Sequence, residues 1–141
     1  MVKKQPKKTP RFDFFRGRVS RLQFFFGFFY ILLLFTADVM VGGLNAHIFK
    51  HGPVYTGIAY VTSIIALLIL LFVLFQIASL YTRRLHDLGR SGLLALIVLI
   101  PGPDILLMLF LQFMPGEKEA NPNGDPPSDR LDAMTIWGFR P

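Results

Sequence analysis

The chain contains no cysteine. Disulfides, thiol nucleophiles and thiolate metal sites are therefore excluded. Histidine is scarce too, with three residues in all. His47 and His51 stand at i,i+4 spacing in a Gly-Pro loop, a weak ligand pair for zinc. His86-Asp87 spells an HD dipeptide, but a metal-dependent phosphohydrolase would need further His and Asp ligands, and the other two histidines lie in a different loop. No Walker loop, HExxH or nucleophile elbow occurs. The expectation is a protein with no catalytic residue, no metal and no cofactor.

Charge is sparse and unevenly placed. Only 17% of the 141 residues are charged and 52% are hydrophobic. The apolar residues fall in uncharged runs of roughly 20, the length that matches the hydrocarbon thickness of a bilayer. Three spans are expected, over 22–44, 54–81 and 93–114, making residues 20–114 a transmembrane domain. Residues 1–19 form a basic arm before it, and 115–141 a polar tail rich in Pro and Gly after it. The fold class expected is all-α integral membrane. The net charge of +6 suggests nucleic acid until the charges are located. Eight of the fifteen Lys and Arg residues lie at or before Arg21, and Arg83, Arg84 and Arg90 share one short loop. Basic residues gathered on one side of apolar spans are a topology signal, whereas nucleic-acid binding calls for a basic folded face interleaved with aromatics. No nucleic-acid partner is expected.

Local signals set the boundaries. Ser20 and Gln23 have the spacing of a capping box, with Val19 and Phe24 at the staple positions, so the first helix starts there. Val41-Gly42-Gly43 resembles a signal-peptidase site, but the apolar run before it far exceeds a typical h-region of about 7–15 residues. Gly89 suits the left-handed position that ends the second helix, and Ser91 can cap the next one. The third apolar segment is interrupted by Pro101-Gly102-Pro103-Asp104. Neither half could cross alone, so a kinked crossing is the first expectation and a re-entrant hairpin the alternative. In the tail, Leu131, Met134 and Trp137 recur at three-residue spacing and suggest a short surface helix anchored by Trp137.

The positive-inside rule places the arm and the 83–90 loop in the cytoplasm, with only Lys50 in the loop between the first two spans. Three crossings would then put the C-terminus in the periplasm. A bacterial inner (plasma) membrane, multi-pass, is the expected location.

Candidate binding residues sit on the cytoplasmic face. Arg18 and Arg21 flank a helix N-terminus, which prefers acids, so something other than helix stability favours them. Lipid phosphate, an anion site or an intramolecular partner such as Asp87 would account for them. Arg83, Arg84, His86, Asp87, Arg90 and Ser91 complete that face. They read either as a charge-pinned turn or as a site for an anionic headgroup or partner protein. Asp38 and Asp104 are acids inside apolar spans and candidates by position alone. Asp38 lies close enough to the outer loop to snorkel, and Asp104 can cap the second half-helix or serve a proton- or cation-linked role.

These motifs resemble a known family. F-x-G-R-x-x-R-x-x-F at Phe15, Gly17, Arg18, Arg21 and Phe24, then R-R-L-H-D-x-G-R-S-G from Arg83 to Gly92, then Pro101, and a tail with Pro115-Gly116, Asn121, Gly124, Asp125 and Pro126 are similar to the bacterial inner-membrane family catalogued as domain of unknown function 805. The resemblance covers nearly all of the chain after the basic arm. It implies an integral inner-membrane protein and no particular activity. The functional expectation is a non-enzymatic protein whose arginine face engages the lipid bilayer, through anionic lipids, or a partner protein. The alternatives are an oligomeric channel or transporter subunit using Asp104, for which a homo-oligomer is required, and a lipid-modifying enzyme.

Overall fold

The computed structural model describes residues 11–12, 14–48, 53–127 and 139–140. Lys50, His51 and the surface helix expected over 131–137 lie outside them. Two long helices dominate: α1, Arg21–Ile48, and α2, Pro53–Asp87. At about 1.5 Å per residue they run roughly 42 and 52 Å, beyond the roughly 30 Å of a hydrocarbon core. The apolar windows of these helices are 17% and 11% buried. A core helix of a soluble protein would be mostly covered, so these surfaces are compatible with membrane insertion.

The start of α1 obeys its sequence signals. Ser20 N–H donates to Gln23 Oε1 (3.1 Å) and Gln23 N–H to Ser20 Oγ (3.3 Å), the reciprocal bonds of a capping box. Val19 and Phe24 are both fully buried in the core. At the far end of the pair, Thr62 Oγ donates to Asn45 Oδ1 (2.7 Å) and Asn45 Nδ2 to Ser63 Oγ (3.3 Å), so α1 and α2 are pinned at both ends.

The third apolar segment does not make the expected kinked crossing. Residues Gly92–Leu99 form a 3-10 helix along α2, and α3, Pro103–Phe113, runs back. Pro101 explains the break: it disfavours helical backbone at the residue before it, and Ile100 is extended at φ −108° and ψ 106°. Gly102 then reverses the chain at φ 101°, a conformation open to glycine at no steric cost. The result is the hairpin alternative, with both ends beside the last turn of α2. The segment leaves at Ser91, and the carbonyls of Leu111 and Met114 return to within 2.9 and 2.6 Å of the Arg84 guanidinium.

The tail packs against the segment that precedes α1. Arg18 reaches the carbonyls of Glu119 (2.6 Å) and Gly124 (3.4 Å), and β1, Arg11–Phe12, pairs antiparallel with β2, Phe139–Arg140. Both terminal segments therefore occupy one end of the α1–α2 pair.

Candidate functional site

That end is built around Asp87, on the last turn of α2. Arg18 Nε donates to Asp87 Oδ1 at 3.0 Å, and Arg84 Nη1 donates to Oδ2. All three residues are at most 2% exposed. A buried acid between two buried guanidiniums leaves an excess of positive charge, and backbone carbonyls absorb it. Besides its bonds to Glu119 and Gly124, Arg18 donates from Nη2 to the Glu117 carbonyl. Arg84 donates from Nε to Leu111, from Nη1 to Val19 (3.3 Å) and from Nη2 to Met114. Each guanidinium thus makes four hydrogen bonds from a fork of five N–H groups.

These bonds explain how so short a hairpin is sustained. The last four carbonyls of a helix lack internal partners, and α3 has only 11 residues. Arg84 takes Leu111 and Met114, satisfying those acceptors and placing a cation at the negative end of the helix dipole. Further bonds close the ring: Val19 N–H to the Arg83 carbonyl (3.3 Å), Glu117 N–H to the Asp87 carbonyl (2.9 Å) and Asn121 Nδ2 to the His86 carbonyl (2.9 Å).

Glycines fit the same cluster. A Cβ on Gly116 would collide with the Asp87 carboxylate. Gly89 takes the left-handed conformation expected of it, φ +64°, with the Glu117 carboxylate against its Cα. Ser91 caps as expected, accepting from Leu93 N–H at 3.3 Å, although the helix it caps is 3-10.

Burial pushes the Asp87 carboxyl above its ordinary value, opposed by the Arg18 hydrogen bond and the Arg84 charge. Two guanidiniums in direct contact nevertheless favour the carboxylate form. Burial lowers His86, against the Gly17 carbonyl, which leaves a neutral imidazole at neutral pH.

A family model described as a protein of unknown function, DUF805, matches residues 12–125. The chain belongs to the DUF805 family. No curated protein and no solved structure matches it.

In this DUF805 chain the expected arginine face divides in two. Arg18, Arg83, Arg84 and Asp87 are buried, and Arg18, Arg84 and Asp87 form a charge-pinned turn. Arg21, Arg90 and Ser91 are exposed, as is Arg16, and His86 is half-buried. Asp38 and Asp104, the acids of the apolar segments, stay apart from the cluster. Asp104 Oδ1 accepts from Gly102 N–H (2.9 Å) and Ile105 N–H (2.8 Å), so its carboxylate ties the hairpin tip. Asp38 is half-buried, and its Oδ1 has no hydrogen-bond partner among the described residues.

Sequence reasoning missed the tail. The acceptors for Arg18 and Arg84 are main-chain oxygens, which carry no residue signature. Gly116 and Asn121 were the available signals, since a glycine beside a charged turn marks close approach.

Proposed function

We propose that this protein is a non-enzymatic, multi-pass protein of the bacterial inner membrane with two crossings and one re-entrant hairpin. The arm, the 83–90 loop and the tail lie in the cytoplasm, and Arg16, Arg21 and Arg90 form a rim that engages anionic lipid headgroups. The observation that carries the reading is that both terminal segments and both ends of the hairpin share the end rich in arginine. The positive-inside rule then assigns that whole end to the cytoplasm, and the α1–α2 loop with its single Lys50 to the other side. The exposed tip of the hairpin satisfies its own N–H groups, Gly102 and Ile105 on Asp104 Oδ1 and Ile100 on the Ile97 carbonyl, which lowers the cost of placing it in lipid.

The rim takes over the role expected of the full arginine face, because Arg18 and Arg84 each use four of their five donors inside the protein. Each basic residue near an anionic surface contributes roughly 1 kcal/mol. A fluorescent-protein fusion at the C-terminus tests the topology: fluorescence is expected, and a dark fusion active only with a periplasmic reporter would sink it. Replacing Arg16, Arg21 and Arg90 with Gln should lower the number of phosphatidylglycerol molecules retained in native mass spectrometry. Retention equal to the unsubstituted protein would remove the headgroup reading.

A further inference from the structure

The hairpin leaves a groove of about 660 Å³ between α2 and the 3-10 helix, within the roughly 300–1,000 Å³ of ligand pockets. Leu74, Ile77 and Ala78 of α2 form one wall, and Ala95, Leu96 and Leu99 the other. Its polar end is made by Thr82, His86 and Ser91. Among the described residues no acid lines it, and exposed Arg90 stands next to Ser91. Phe15, with exposed Arg16 beside it, forms part of the border.

Depth and polarity are matched to one half of a bilayer. From Ser91 to Leu99 the 3-10 rise of about 2 Å per residue gives roughly 16 Å, against about 15 Å for half the hydrocarbon core. A slot with two hydroxyls and an imidazole at one end, next in the chain to exposed Arg90, and only apolar walls below fits an amphiphile with an anionic head and a long chain. The outer wall is open, with Leu96 and Leu99 63% and 76% exposed, so the chain enters sideways from the lipid.

We propose that this groove seats one acyl chain of an anionic phospholipid from the cytoplasmic leaflet, with its phosphate at the Thr82–His86–Ser91 end beside Arg90. This rests on the cytoplasmic assignment of the basic end and adds to the diffuse rim a single defined lipid site. Gly92 helps to shape it: a Cβ there would sit 3.0 Å from His86 Nε2 and 2.5 Å from the Thr82 methyl, so glycine lets the polar end close up.

The test uses the full chain in detergent with added phosphatidylglycerol or phosphatidylcholine, read by native mass spectrometry. One phosphatidylglycerol adduct is expected to survive activation that strips the others. Ala78→Phe and Ala95→Phe, each filling the groove from one wall, should lower its occupancy about tenfold or more, as the loss of a few buried methylenes would. Arg90→Gln should reduce the preference for phosphatidylglycerol over phosphatidylcholine, lowering phosphatidylglycerol occupancy by the larger factor. Occupancy unaffected by either Phe variant overturns the proposal. If Arg16→Gln and Arg21→Gln alone lower retention, the rim reading stands and the groove falls. Should the Phe variants fail to fold, phosphatidylglycerol with a mid-chain diazirine is photolysed with the unsubstituted protein in vesicles. Labelling at Leu74, Leu96 or Leu99 supports the site, and labelling spread along the outward face of α1 overturns it.

Discussion

Replacing Asp87 with Asn removes the charge that two buried guanidiniums share while keeping the side chain's shape. One amide oxygen can still accept from Arg18 or Arg84, but the amide NH2 then faces the other guanidinium, donor against donor. Removing one partner of a buried ion pair costs about 3–5 kcal/mol. The six carbonyl contacts of the two arginines remain, which places the effect toward the lower figure. Because the Asp87 bonds join the end of α2 to the segment before α1 and, through Arg84, to the end of α3, the loss falls on closure of the hairpin and tail rather than on the whole fold. A drop of about 3 kcal/mol raises the open population by more than a hundredfold, at about 1.4 kcal/mol per decade. The absence of cysteine makes a clean assay possible. Leu111→Cys puts a single thiol at a fully buried position under the Arg84 contacts. Its maleimide labelling rate, with and without Asp87→Asn, reports the opening equilibrium when reclosing is fast. The rate should rise about a hundredfold or more, and Arg18→Gln added to Asp87→Asn should recover part of it. A rise below about threefold would refute the claim that charge pairing closes this end, since that is under 1 kcal/mol.

Glycine offers a paired test. Gly116→Ala drives a methyl into the Asp87 carboxylate and should cost about 1–3 kcal/mol in the same labelling assay, whereas Gly57→Ala, with open space around its Cα, should be neutral or stabilising by up to about 1 kcal/mol. Equal effects would show that Gly116 is not there for close approach. At the other end, Asn45→Leu removes the links to Thr62 and Ser63, and interhelical hydrogen bonds in bilayers average about 0.6 kcal/mol each. A loss near 1 kcal/mol in SDS unfolding monitored by circular dichroism is expected from that average. A loss above about 3 kcal/mol, several times that average, would mean that Asn45 does more than bridge the two helices.

The parts of this architecture that were legible from sequence are those governed by neighbours in the chain. Ser20-Gln23, Gly89 and Ser91 act through bonds spanning two or three residues, so spacing alone reveals them. The course of residues 92–114 depends on something spacing cannot report. A proline break is equally consistent with a kink or a reversal, and the reversal is held by Arg84 reaching carbonyls 27 and 30 positions away. The arginines themselves were open to two readings for a related reason. A basic cluster beside an apolar span normally faces water and phosphate, and burial of Arg18 and Arg84 requires acceptors that the tail supplies from its main chain. The misplaced charge at the start of α1 was the one usable clue, and Asp87 is the partner that it pointed to.

Burial also redistributes where interaction can occur. A guanidinium that makes four bonds inside the protein has at most one donor left for a phosphate, and reaching it would require breaking the closure that holds the hairpin. In the proposed reading, headgroup contact therefore falls to side chains outside the cluster. Arg90 is the informative one, because it belongs to the same loop as Arg84 and yet is exposed. Its neighbours explain the difference: Arg84 lies on the helix and faces the returning α3, whereas Arg90 comes just after left-handed Gly89, where the chain turns away from α2. That turn puts a cation outside the cluster and starts the 3-10 helix that walls the groove. The same ten-residue loop thus closes the protein with its first half, through Arg84 and Asp87, and with its second half starts one wall of the groove at Ser91 and Gly92.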